Sequence, residues 1–191
     1  MRDTGQRILD AAIQVFGRDG VSGATTREIA RMGKVNEVTL FRYFKSKDEL
    51  LRQAIQQCAN RFEDVFAAAS VETQADLRHT VQIYAAAYLR MLMENEDFVR
   101  TFYGELNRHL NLCQRLFVET GKPKRQKFID YLRLAQKGGL VRADLDVVAT
   151  ADALTSLLLG AVIRRPLTKS EYEIEPFFKT TLEIFLKGIQ P

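Results

Sequence analysis

Apolar residues along this chain recur at three- and four-residue intervals almost throughout, and no run alternates in the way a half-buried strand does. Ile8, Leu9, Ala12, Ile13 and Phe16 form the apolar face of a first helix that starts after Asp3 or Thr4 and ends before Gly20. A second helix opens at Thr25. There Thr25 and Glu28 have capping-box spacing, in which each side chain satisfies the other's backbone amide, and Ile29 and Ala30 face inward. Residues 32–35 (MGKV) break it. Asn36 caps a short third helix. Ser46 and Glu49 make a second capping box, at the head of a long fourth helix carrying Leu50, Leu51, Ala54, Ile55, Cys58, Phe62, Val65 and Phe66.

A polar break at 70–76 follows, then two or three helices over 77–118 and a turn at 120–125 with basic flanks. A helix over 124–137 is closed by Gly138 and Gly139. The strongly apolar segment from Val147 to Arg164 is capped by residues 142–146 and stopped by Pro166. The last helix runs from about Glu175 to Lys187, with Phe177, Phe178, Thr181, Leu182, Phe185 and Leu186 on one broad face. The expected fold is all-α. A three-helix unit covers 1–46 and a larger helical unit covers 47–191, joined through the fourth helix.

Composition narrows the class. With 191 residues, 46% hydrophobic and 27% charged, the chain fits a soluble globular protein with a real core. The net charge is +4. Between Thr25 and Lys47 six bases (Arg27, Arg31, Lys34, Arg42, Lys45, Lys47) face two acids (Glu28, Glu37), so this window alone carries the whole surplus. Cys58 and Cys113 have no metal-type spacing to each other and point to reduced thiols. The N-terminus is acidic in part and lacks the long apolar run of a signal peptide, and the most apolar stretch, 147–163, is interrupted by Asp152, Thr155 and Ser156. The expectation is a cytoplasmic protein with no membrane partner.

The third helix raises a question, since helices shorter than about 12–15 residues are marginal on their own. A helix-turn-helix answers it. Leu40 and Phe44, one turn apart, anchor the short helix. Glu37, Val38, Thr39, Arg42 and Tyr43 then face outward, towards a major groove about 12 Å wide. Lys47 and the amides of residues 46–48 form a helix start suited to a phosphate.

The run TTREIARMGKVNEVTLFRYFKSKDELL, Thr25 to Leu51, resembles the DNA-binding signature of the tetracycline-repressor (TetR) family of bacterial regulators, and residues 8–20 (ILDAAIQVFGRDG) resemble that family's first helix. The resemblance implies phosphate contacts from Thr26, Thr39, Tyr43 and Lys47, and base-edge contacts from Arg27, Glu37, Val38 and Arg42. Three departures stand out. Lys34 occupies the family's turn-glycine position, Glu37 puts an acid where polar or basic residues are common, and Phe41 replaces a frequent tyrosine at the DNA face.

The resemblance further implies dimerisation through the last two long helices. The candidate interface residues are Leu154, Leu157, Leu158, Ala161, Val162, Phe178, Leu182 and Phe185, because one helix face does not readily bury the whole set on 154–162. An effector pocket is implied between the helices after the fourth. Its candidate lining is Phe62, Phe66, Tyr84, Tyr88, Phe102, Tyr103, His109 and Phe117, a set suited to a hydrophobic or aromatic small molecule. Glu105, His109 and Cys113 share a helix face but span about 12 Å, too far for one ion, so no metal or cofactor is expected. The chain has no GxxxxGK, GxSxG, HExxH or CxxC motif, which argues against an enzyme. The expectation is a homodimeric repressor released from a palindromic DNA operator by a small effector. The alternatives are a chromosome-organising DNA-binding protein of the same fold and a helical small-molecule enzyme.

Overall fold

A computed structural model of the chain describes residues 3–70, 76–104, 111, 114–115, 117–168 and 173–191. Among them every regular element is helical. In order these are α1 (Thr4–Gly23), α2 (Thr26–Met32), α3 (Glu37–Tyr43), α4 (Lys47–Ser70), α5 (Leu77–Glu94), α6 (Glu96–Gly104), a π-helical turn (Phe117–Gly121), α7 (Lys122–Lys137), α8 (Val147–Thr168) and α9 (Ile174–Ile189). The fold is an N-terminal helix-turn-helix followed by a larger helical region.

The chain packs as two compact units, Met1–Asn60 with Asn95–Thr120, and Arg61–Glu94 with Gly121–Pro191. The sequence suggests a break at 46/47, whereas packing carries the first unit along α4 and adds α6. The reason lies in its core. Ile8, Ala12, Val15 and Phe16 of α1 gather Ile29 and Ala30 of α2, Leu40 and Phe44 around α3, Leu50, Leu51, Ala54 and Cys58 of α4, and Phe98 of α6. Gly17 lets α6 approach closely, since a Cβ there would lie 3.0 Å from the Phe98 backbone nitrogen. The Thr101 hydroxyl donates to the Gly17 carbonyl at 2.6 Å beside that contact. Gln57 donates to Asp10 at 2.8 Å, tying α4 to α1. The Cys58 thiol donates to Asn95 Oδ1 at 3.2 Å.

Local signals set most helix ends. Gly20 leaves the helical region (φ 76°, ψ 171°), so the first regular run of α1 ends there, as its pattern predicts, and a further short turn beyond the kink reaches Gly23. The helix α7 starts two residues earlier than the pattern suggests, with Pro123 in its first turn, where a missing amide costs nothing. Pro166 does not end α8, which continues to Thr168. A proline this near a helix C-terminus forfeits little of the hydrogen-bond ladder.

In the second unit, α8 packs on α5, α7 and α9. Leu154, Leu158, Ala161 and Val162 are all wholly buried within the chain itself, and Leu182 and Phe185 of α9 are nearly so. These six therefore belong to the monomer core. The spacing explains this: 154, 158, 161 and 162 share one helical face, which α8 buries in full, while Leu157 lies off that face and remains 43% exposed. Phe178 is half-buried. The segment Val147–Arg165 has the length and mean hydropathy (1.6) to cross a bilayer, and 39% of it is buried within the chain.

Of the expected pocket residues, Tyr84 is buried and stacks on Phe128 with ring centroids 3.7 Å apart. Burial pushes its phenol well above the usual range, reinforced by the Asp152 charge and opposed by Arg125. Arg125 grips Asp152 through two hydrogen bonds of 2.5 and 2.6 Å. Tyr88 lies half-buried over Tyr84 in this unit. Phe102 and Tyr103 belong to the first unit, where Phe102 packs on Phe98. His109, Glu105 and Cys113 lie outside the described residues, as do the side chains of Phe62, Phe66 and Phe117.

Candidate nucleic-acid interface

Three caps build the site from local chemistry. Thr25 Oγ1 accepts from the Glu28 amide at 3.2 Å and starts α2. Asn36 Oδ1 accepts from the Thr39 amide at 2.7 Å and starts α3. Ser46 Oγ accepts from the Glu49 amide at 3.1 Å and starts α4. The reciprocal halves of the two capping boxes are not made. The Glu28 carboxylate turns instead to Arg31 (2.8 Å) and Arg18 (3.3 Å), linking α2 to α1. The Glu49 carboxylate turns to Arg52 and Gln53. In both cases an arginine is a stronger partner than a backbone amide. Hydrogen bonds from Arg31 and Arg18 hold the Glu28 carboxyl down to about 2, and those from Arg52 and Gln53 do the same for Glu49. Both folded values lie below the ordinary carboxyl range. Any stability these pairs add is therefore present above about pH 4.5 and is lost as pH falls towards 2.

The turn between α2 and α3 closes by a double hydrogen bond. The Val35 amide reaches the Ala30 carbonyl at 3.0 Å and the Lys34 amide reaches the Arg31 carbonyl at 3.2 Å. This geometry needs a left-handed residue at the second position after the helix, and Lys34 supplies it at φ 54°. Helix α7 closes the same way, with Gly139 at φ 75° in that place. Gly33, one residue earlier, serves a different need: a Cβ there would lie 3.2 Å from the Ile29 carbonyl and 3.5 Å from the Ile8 Cα. Lys34→Gly should therefore stabilise the protein by about 0.5–1 kcal/mol, seen as a Tm rise of about 1–4 °C in thermal unfolding. An unchanged or lower Tm would mean that the lysine side chain makes up for its backbone.

The seven-residue α3 is held by its inner face, with Leu40 at 0% and Phe44 at 3% exposure. Its outer face presents Val38 (79% exposed), Phe41 (46%) and Tyr43 (41%), with Arg42 beside them. The Arg42 guanidinium lies 5.8 Å from the Tyr43 ring centroid. Tyr43 is braced from behind by Gly5, where a Cβ would come within 3.3 Å of the ring. The sequence pattern gives no hint of this support, because an isolated glycine inside a helical repeat carries no spacing signal. Arg27 is exposed, whereas Thr26, Glu37, Thr39 and Lys47 are half-buried. Thr26 and Glu37 meet directly, the hydroxyl donating to Glu37 Oε1 at 2.5 Å. The arrangement brings a short, inwardly anchored helix together with exposed apolar and aromatic groups and the Arg42 guanidinium. It suits a groove lined by phosphates.

The chain is similar to known proteins. Residues 8–54 match the family described as bacterial regulatory proteins, tetR family. The uncharacterized HTH-type transcriptional regulator YvkB of Bacillus subtilis (strain 168) is 27% identical over 99% of this chain and 98% of its own length. The HTH-type transcriptional repressor KstR2 of Mycolicibacterium smegmatis is 27% identical over 73% of this chain and 68% of its own. The crystal structure of the transcriptional regulator FadR from Bacillus subtilis, in complex with stearoyl-CoA, has the same fold, with a TM-score of 0.81 at 19% identity over 97% of this chain and 99% of that one.

Proposed function

The chain belongs to the tetR family of DNA-binding transcriptional regulators, and from that premise we propose that it is a cytoplasmic, homodimeric, non-catalytic repressor that a small hydrophobic effector releases from a palindromic operator. Residues 1–46 form the reading head, and 47–191 carry the effector and dimer functions. The observation that carries this reading is α3 itself: a helix too short to stand alone, anchored by Leu40 and Phe44, with Val38, Phe41, Arg42 and Tyr43 turned outward. Arg27, Glu37, Val38 and Arg42 face base edges. Thr39, Tyr43 and Lys47 hold phosphates, Phe41 packs on the sugar–phosphate wall, and Thr26 stands at the groove edge.

Dimerisation is supported by what α8 and α9 leave uncovered. Ala149, Ala153, Ser156 and Leu157 are exposed along one side of α8, and Thr180, Ile184 and Gly188 along one side of α9. A Cβ at Gly160 or Gly188 would meet nothing within 4 Å, so a second copy has room to approach closely. The stearoyl-CoA held by FadR makes a long-chain acyl-CoA the first effector to try.

Operator titration with single variants tests the assignment of contacts. Lys47→Ala should weaken binding to every duplex and flatten the salt dependence by a slope of about one per half-site. Arg42→Ala should relax preference at one base pair per half-site, at about 1–3 kcal/mol. Equal losses on operator and random DNA for Arg42→Ala would place that side chain on the backbone.

A further inference from the structure

Given the DNA-reading role proposed for this surface, on which the inference rests, the bond between Thr26 and Glu37 bears on which of the two touches DNA. The hydroxyl of Thr26 has one proton, and it is given to Glu37 Oε1 at 2.5 Å. A phosphate diester offers only acceptors, so a hydroxyl whose proton is already committed has nothing to donate to it. The acceptor is a carboxylate, which makes this a strong charge-assisted bond. It also joins the first residue of α2 to the first residue of α3, the ends that a helix-turn-helix turns towards DNA.

We propose that Thr26 is a positioning residue and Glu37 the specificity-determining acceptor: the Thr26 hydroxyl fixes the Glu37 carboxylate so that its remaining oxygen takes the N4 amino proton of a cytosine in the major groove. The base edges make the choice. Cytosine presents a lone donor, guanine two acceptors, thymine an acceptor and a methyl, and adenine a donor next to an acceptor. A carboxylate has only acceptors, so guanine and thymine repel it and adenine half-repels it. A loose glutamate on this surface would simply be driven off by the phosphates. Held from α2, it keeps its place and turns the repulsion into discrimination. Arg27, Arg42 and Lys47, in the same basic stretch of the chain, supply the general attraction that an acid at this position lacks.

Selection of bound sequences from a random duplex pool, with full-length wild type, Thr26→Val, Thr26→Ser and Glu37→Gln, tests this. The wild type should retain a cytosine at one fixed place in each half-site. Glu37→Gln should exchange that cytosine for adenine, since an amide pairs with adenine N6 and N7. Thr26→Val keeps size and branching but lacks the hydroxyl. It should flatten that one position roughly tenfold, leaving other positions, random-DNA affinity and the salt slope as in wild type. Thr26→Ser retains the hydroxyl and should keep the cytosine. A Thr26→Val protein that binds every sequence more weakly returns the hydroxyl to a phosphate and overturns the proposal. So does a Glu37→Gln protein with an unaltered preference, or a Thr26→Ser protein that behaves like Thr26→Val. If the wild type retains no sequence at all, the DNA-reading assignment fails first.

Discussion

Replacing Leu40 by alanine should loosen the recognition helix while the second unit stays folded. The helix α3 has seven residues, below the length at which a helix survives on its own hydrogen bonds. Leu40 is the one residue within it that is fully buried. It lies against a core built on Ile8, Phe16 and Ile29, with Phe44 as the second anchor just beyond the helix end. Truncating such a leucine costs about 2–5 kcal/mol, from lost burial and from the cavity left behind. A whole domain commands only about 5–15 kcal/mol, so the effect is large. Hydrogen exchange at the amides of α3 should accelerate by about 30- to 5,000-fold, and operator binding should fall with it. The amides of α8 and α9, in the other unit, should exchange as in wild type. Unaltered protection in α3 would show that its hold on the protein lies elsewhere.

Leu157→Glu should give a folded monomer that binds a palindromic operator poorly. The position matters. The sequence pattern makes Leu158 an equally attractive interface residue, but Leu158 is completely buried in the chain and a glutamate there would put an unpaired charge into the core. Leu157 is 43% exposed, so a charge at that site is solvated in the monomer and desolvated only when a second copy covers it. Linking two heads in one dimer raises avidity by about 10²–10⁴ over a single head, so losing the dimer should weaken operator binding by a factor in that range. Binding of a half-site duplex should be unaffected. Sedimentation near micromolar concentration should move from a dimer to the 21.8 kDa chain mass. A dimer that persists in Leu157→Glu would rule out this side of α8 as the contact.

Much of the reading head is legible in the chain. Thr25, Asn36 and Ser46 announce three helix starts because capping acts within three residues. The inward face of α3 follows from Leu40 and Phe44 being one turn apart. Lys34 flags an unusual turn because the left-handed position there normally belongs to glycine. The basic excess over 25–47 permits an anionic partner without demanding one.

Other features were decided only by tertiary packing. Glu28 and Glu49 have the spacing to complete two capping boxes, but arginines brought within reach outcompete the amides. Pro166 signals a stop that α8 passes by two residues. The helix α6 joins the head because Gly17 admits its backbone, a contact across residues far apart in sequence. Thr26 and Glu37 each look like a separate DNA contact until the fold places one on the other. The apolar excess of α8 says that much surface must be covered, but not by what. The monomer core takes Leu154, Leu158, Ala161 and Val162 and leaves Leu157 over. Caps, turns and helical faces depend on neighbours within about one turn, so residue order alone specifies them. The choice among competing partners, and the division of an all-round apolar helix between core and surface, depends on side chains that only folding brings together.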